Sequence, residues 1–115
     1  MKLTGKVALV TGGSRGIGFA IAKILSDNGA SVVITSKNSE KIKQSEAKIS
    51  NSFGITCDIK KKNEVQNVLE QTIKKFGKLD ILVNNAGIFP KIKLLHEIEE
   101  EEWNEVLDVN LTGQF

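Results

Sequence analysis

The sequence predicts an α/β domain built on a parallel sheet with helices on both faces. Three observations predict it. Short apolar, β-branched runs recur along the 115 residues, helical patterns fill the gaps between them, and a glycine-rich segment separates the first run from the first helix. Alternation of this kind makes βαβ units, whose crossovers are right-handed. The expected sheet has four parallel strands in the order 3-2-1-4.

The elements follow in order. Val7-Ala8-Leu9-Val10 is a continuous apolar run, as expected of a strand buried on both sides. After Gly16, residues Ile17, Ala20, Ile21, Ile24 and Leu25 recur at helical spacing and predict one apolar face, with Gly29 as the terminator. Val32-Val33-Ile34 is the second strand. A helix capped by Asn38 or Ser39 follows, with Ile42, Ala47 and Ile49 as its apolar residues. Phe53 to Cys57 forms the third strand. Val65, Val68, Leu69, Thr72 and Phe76 then share a helix face that Gly77 ends. Leu79 to Val83 is the fourth strand, and Pro90 falls in the loop after it. The acidic run before Trp103 suits a helix N-terminus electrostatically. That helix continues through Val106, Leu107, Asn110 and Leu111.

Composition removes several functions. Hydrophobic residues make up 40% and charged residues 26%, the balance of a globular chain and not of a disordered one. A formal net charge of +2, without a basic stripe interleaved with aromatics, argues against a nucleic-acid partner. No apolar run reaches the length of a membrane span, and the first six residues lead straight into a strand without a signal peptide. A cytoplasmic location is the expectation. The one cysteine, Cys57, has no activating base nearby in sequence, and His96 has no second ligand at metal-binding spacing, so no metal is expected.

The segment Thr11-Gly12-Gly13-Ser14-Arg15-Gly16-Ile17-Gly18 carries the chemistry. Glycines between a strand and a helix allow a tight turn and let backbone approach a pyrophosphate, which the helix N-terminus then receives. The spacing differs from the common dinucleotide fingerprint, and no Lys-Ser/Thr follows as in a phosphate loop of the Walker type. Cofactor choice turns on the end of the second strand. A carboxylate there would accept from the ribose hydroxyls of NAD and repel a 2′-phosphate. The segment reads Thr35-Ser36-Lys37-Asn38, with no acid. Ser36 offers a hydroxyl, Lys37 a charge, and Arg15 a planar two-pronged donor. NADP(H) is therefore expected over NAD(H). The alternative is that Arg15 and Lys37 are solvated surface cations.

Thr-Gly-x-x-x-Gly-x-Gly in this position resembles the cofactor loop of the short-chain dehydrogenase/reductase family. Asn84-Asn85-Ala86-Gly87 after the fourth strand resembles that family's Asn-Asn-Ala-Gly motif. Asp58 resembles its adenine-contacting Asp, and Asn110 its catalytic Asn. The resemblance spans the whole chain and is closest to the 3-oxoacyl carrier-protein reductases within the family. It implies that residues 1–115 are the N-terminal half of a Rossmann-type, doubly wound NAD(P)-binding domain. It also implies cofactor contacts from Gly12, Ser14, Arg15, Gly16, Ile17, Gly18, Ser36, Lys37, Asp58, Ile59, Asn85, Ala86 and Gly87. Two of these assignments have a structural rival. Asp58 is equally suited to cap the helix beginning near Lys61. Asn110, on the apolar face of the last helix, is either a core amide satisfied by a neighbouring strand or an active-site amide supporting a proton relay.

The family's reaction is hydride transfer between NADP(H) and a carbonyl or alcohol, and its members associate as homo-oligomers. Its active site also uses a Ser and a Tyr-x-x-x-Lys pair later in the chain. This sequence contains no tyrosine at all. The expectation is an oxidoreductase portion that holds nucleotide but does not catalyse alone. The competing expectation is a non-catalytic nucleotide-binding module. With half of a doubly wound sheet, the fourth strand is expected to lie at an open edge, which is an aggregation hazard.

Overall fold

The computed structural model describes residues 2–88 and 93–115. Pro90, assigned from sequence to the loop after the fourth strand, lies outside the described residues. The strands are β1 (Val7–Thr11), β2 (Ser31–Ser36), β3 (Ser52–Thr56) and β4 (Ile81–Val83). The helices are α1 (Gly16–Asp27), α2 (Ser39–Lys48), α3 (Lys62–Phe76) and α4 (Glu100–Asn110), with short 3-10 turns at Leu95–Glu97 and Thr112–Gln114. All four strands are parallel and their order is β3-β2-β1-β4, as the alternation and the handedness rule require. Val7 pairs with Ser31, Ala8 with Ile81, and Val32 with Ser52.

Side chains of the central strands alternate between two apolar clusters. Val10, Val32 and Ile34 point to one face, where Ala22 of α1 and Ile42 of α2 close over them. Leu9 and Val33 point to the other, against Ile55, Cys57 and Val68 of α3. Both faces of β1 and β2 are thus dry, which is why their sequences are continuously apolar.

The helix faces depart from the sequence expectation in two places. In α1 the buried residues are Gly18, Ala22 and Ser26, a stripe of small side chains at four-residue spacing. Phe19, Ile21 and Leu25 pack at its margins, while Ile17 is 74% and Ile24 60% exposed and Ala20 is also exposed. Small residues let the helix axis approach the sheet closely, so the larger ones are displaced outward. In α4 the apolar stripe of Trp103, Leu107 and Leu111 faces solvent, and Val109 is the residue that is buried. Sequence periodicity located the stripe but assigned it the wrong neighbour.

In α3 the expectation holds for Val68 and Thr72, which are buried, and for Val65 and Phe76, which pack against the core. Leu69 stays exposed. Gly77 takes the left-handed conformation that stops the helix. Asn38, one of the two candidate caps, holds α2 by accepting from the Lys41 N–H at 3.0 Å. Gly29 stands one position past the C-cap Asn28 of α1, with φ of 99°.

At the amino end of the sheet, the Val7 N–H donates to Asp80 Oδ2 at 2.9 Å and Lys78 Nζ lies 3.1 Å from the same oxygen. These interactions hold the Asp80 carboxyl below its ordinary range, the Val7 bond contributing most. α4 is moored by side chains. Lys60 pairs with Glu105 at 2.8 Å, and the two amide atoms of Asn110 grip the backbone of Ile88.

Candidate dinucleotide site

The carboxyl ends of β1, β2 and β4 converge at the glycine loop. Gly13 N–H donates to the Thr35 carbonyl at 3.0 Å, which seats the loop on the end of β2. Thr11 ties it to the segment after β4. Its Oγ1 accepts from the N–H groups of Asn85 and Ala86, both at 3.0 Å. The Asn85 side chain answers by donating to the carbonyls of Thr11 at 3.0 Å and Gly12 at 3.1 Å. The two motifs recognised separately in the sequence are therefore one hydrogen-bonded unit.

Two of the glycines have separate physical reasons. A Cβ on Gly18 would fall under 3.0 Å from Asn85 Nδ2 and from the Gly12 carbonyl oxygen, closer than side chains come. Gly16 has the opposite requirement. Its surroundings are open, but its φ is +58°, where an L side chain is strained. Gly18 closes the loop onto the helix, and Gly16 turns its backbone outward beside open space.

α1 begins without a side-chain cap and without an acidic residue in its first turn. Among the described residues the other three helices each have an acid there, and α2 has a capping side chain as well. The positive end of the α1 dipole is thus left uncompensated at the mouth of the loop, which is the arrangement an anionic group requires. Arg15 and Lys37 are exposed, and neither takes part in an ion pair among the described residues. Ser36 ends β2, and its hydroxyl accepts from the Asn38 N–H at 3.2 Å, leaving its proton to be donated. An open backbone at Gly16, a free helix end and a β2 terminus without carboxylate fit a dinucleotide.

Asp58 stands two residues past β3. It does not cap α3, whose cap position is Lys61 and has no side-chain bond. Instead its Oδ1 accepts from the Lys60 N–H at 3.1 Å, and its own N–H donates to Glu64 Oε1 at 3.0 Å. The carboxylate thus closes its own turn, and α3 starts without a side-chain cap. Ile59 is half-buried, and the turn after α4 packs on it at Gly113.

Asn110 ends α4 and is exposed, so the expectation of an inward-pointing amide is corrected. Its Oδ1 accepts from Ile88 N–H at 2.8 Å, and its Nδ2 donates to Ile88 O at 3.0 Å. The amide clasps the loop leaving Gly87 and not a neighbouring strand. Gln114 adds a second clasp by donating to the Ala86 carbonyl at 2.7 Å.

Sequence reasoning missed Thr11 and Gln114. Thr11 stood in the motif, and a hydroxyl at the end of a buried strand is itself a signal, since it needs local partners. Gln114 carried no signal, because its partner is 28 residues away. Cys57 is buried, and burial, with the nearby Glu64 and Asp58 charges, pushes its thiol up to about 11. It is therefore protonated at neutral pH and a poor nucleophile. No cluster of three metal-ligating side chains occurs among the described residues, nor any helix long and apolar enough to cross a membrane.

This architecture and loop define a doubly wound, nucleotide-binding α/β protein. The chain belongs to the short-chain dehydrogenases, whose family model matches residues 6–115. It is 41% identical over 120 residues to the 3-oxoacyl-[acyl-carrier-protein] reductase of Staphylococcus aureus, covering 100% of this chain and 48% of that protein. It is 38% identical over 114 residues to the L-fucose dehydrogenase of Oryctolagus cuniculus, covering 99% of this chain and 40% of that one. The crystal structure of 3-ketoacyl-(acyl-carrier-protein) reductase from Brucella melitensis complexed with NADH superposes with a TM-score of 0.94 at 38% identity. That match covers 96% of this chain and 46% of the neighbour. The chain thus spans less than half the length of these relatives.

Proposed function

We propose that residues 1–115 form the NADP(H)-holding portion of a short-chain dehydrogenase/reductase whose whole reaction moves hydride between NADP(H) and a carbonyl or alcohol. The observation that carries the cofactor choice is the end of β2. Ser36 stands there with no carboxylate beside it, and the nearby Arg15 and Lys37 have no acidic partners among the described residues. A 2′-phosphate would meet positive charge and hydroxyl donors and no repulsion.

In this reading the loop from Gly12 to Gly18, with Ser14, Arg15 and Ile17, receives the pyrophosphate and adjacent ribose. Asp58 and Ile59 border the adenine, and Asn85, Ala86 and Gly87 border the next part of the dinucleotide. When bound, the nicotinamide supplies or accepts the hydride. Asn110 acts through Ile88, fixing the loop that leaves Gly87. The substrate class is a small carbonyl or alcohol compound, and the protein acts as a homo-oligomer in the cytoplasm. Neither nucleic acid nor membrane is a partner.

Titration calorimetry with NADP+ and NAD+ tests the preference. Tighter NADP+ binding is expected, and Lys37→Asp should move the preference towards NAD+ by repelling the phosphate. Equal affinity of the unaltered chain for both cofactors would sink the proposal. A second expectation concerns turnover. With no tyrosine to donate a proton, the 115 residues should bind nucleotide yet not oxidise NADPH in the presence of a reactive dicarbonyl. Loss of acid–base help alone removes roughly 100- to 10,000-fold. Turnover above a buffer blank that disappears in Asn110→Ala would contradict it.

A further inference from the structure

The 3-10 turn Thr112–Gln114 is wedged between the segments that follow β3 and β4. On one side Gly113 lies against the Ile59 backbone, where a Cβ would come 2.9 Å from the carbonyl oxygen. On the other, Gln114 Nε2 donates to the Ala86 carbonyl at 2.7 Å and to the Val109 carbonyl at 3.2 Å. The Ala86 N–H already donates to Thr11 Oγ1 at 3.0 Å, where the glycine loop begins. Both backbone groups of Ala86 are therefore held by side chains, the N–H by Thr11 and the carbonyl by Gln114. That carbonyl needs an outside partner. The residue after it is Gly87, whose freedom in φ lets the Ala86–Gly87 peptide turn over at little cost.

The Gln114 amide is used from one end. Its Nε2 serves two carbonyls, whereas its Oε1 is buried and has no hydrogen-bond partner among the described residues. Turning the amide over would set its oxygen against both carbonyls, so the observed orientation is the favourable one. Asn110, four residues earlier, uses both amide atoms on Ile88. A buried acceptor left unpaired is destabilising, and an apolar side chain of the same length would avoid it. What glutamine supplies at this position is therefore its donor.

We propose that Gln114 is a positioning residue for the cofactor: its donor fixes the Ala86 carbonyl and so sets the path of Asn85, Ala86 and Gly87 along the nicotinamide riboside. The inference rests on the proposed reading that these three residues border the dinucleotide beyond its adenosine half. It assigns the side chain that keeps them in place. Gln114 acts through Ala86 and not by contact with the cofactor.

Two ligands separate this role from general support of the fold. NADP+ carries the nicotinamide riboside, and adenosine 2′-phosphate 5′-diphosphate is the same molecule without it. Each is titrated into the full chain, Gln114→Met and Gln114→Glu, at a temperature below the melting point of all three. Methionine keeps the length and loses the donor. Glutamate keeps the shape and, when ionised, sets acceptor against acceptor. At neutral pH, Gln114→Met should weaken NADP+ on the order of fivefold, the scale of one neutral hydrogen bond, and Gln114→Glu should weaken it more. The adenosine fragment should bind all three alike. Gln114→Glu adds a pH readout. As pH falls its carboxyl gains a proton that it can donate to Ala86, so its NADP+ affinity relative to the unaltered chain should recover. Packing alone would give no such recovery. NADP+ binding unchanged in Gln114→Met, or equal weakening of both ligands, would overturn the inference. So would a Gln114→Glu affinity ratio that stays flat between about pH 8 and about pH 4. If the unaltered chain holds NADP+ no more tightly than the fragment, the bordering role of Asn85, Ala86 and Gly87 fails, and the inference fails with it.

Discussion

Gly16 and Gly18 are two residues apart and are glycine for different reasons, which substitution can separate. Alanine at Gly18 places a methyl against Asn85 and the Gly12 carbonyl. Overpacking of that kind costs about 1–3 kcal/mol, and no L residue avoids it. Alanine at Gly16 meets nothing but must hold a left-handed φ, at about 1–2 kcal/mol. Asparagine tolerates that conformation better than alanine. Urea unfolding should therefore show Gly16→Asn more stable than Gly16→Ala, whereas Gly18→Asn should be no better than Gly18→Ala. Rescue at both positions, or at neither, would show that the two glycines share one cause. Sequence reading recognised both as loop residues. It could not separate them, because the contacts at Gly18 arise only on folding, from Asn85, 67 positions away in the chain, and from the Gly12 carbonyl that the loop turns back onto it.

Strands and their connections were the most legible elements, because in a chain of this composition a continuous apolar run fits little besides a buried strand. Helix faces were read less well. In α1 the periodic isoleucines pointed to a large apolar contact, yet the buried positions are Gly18, Ala22 and Ser26. Hydrophobic spacing alone does not show that a close helix–sheet approach selects small residues. The β4 boundary also moved, because Asp80 is occupied in holding Val7 and Lys78 and stands just before the strand. Asp80 gives a pH prediction. Its carboxyl titrates below the ordinary 3.8 in the folded chain. A depressed pKa stabilises the fold above the unfolded value and ceases to do so as pH falls through the folded one. Asp80→Asn should therefore lower the melting temperature at neutral pH. The gap from the unaltered chain should narrow as the pH falls below the ordinary carboxylate range and close only once the folded-state carboxyl is protonated. The group is exposed, so added salt should shrink the gap too. A gap that is constant with pH would mean that the carboxylate charge is not what anchors β1.

At the scale of the whole molecule, β4 pairs with β1 on one side and has no strand beyond it among the described residues. Leu82 within it is 53% exposed. An open edge with an apolar side chain favours edge-to-edge association. Sedimentation velocity of residues 1–115 taken alone should show self-association that rises with concentration, and Leu82→Lys should reduce it at little cost to stability. Association unchanged by Leu82→Lys would move the contact away from β4.

The exposed stripe of α4 has a consequence for observation. It carries Trp103, the sole indole of the chain, with 56% of its surface in contact with solvent. With no tyrosine to contribute, ultraviolet emission excited at long wavelength comes from this one ring. A solvated indole emits towards the red, and covering it shifts the emission to the blue. The chain therefore carries a built-in optical reporter of whatever settles on α4, readable without a label. A blue shift at Trp103 thus reports what covers α4, an element that Asn110 ties to the Ile88 backbone.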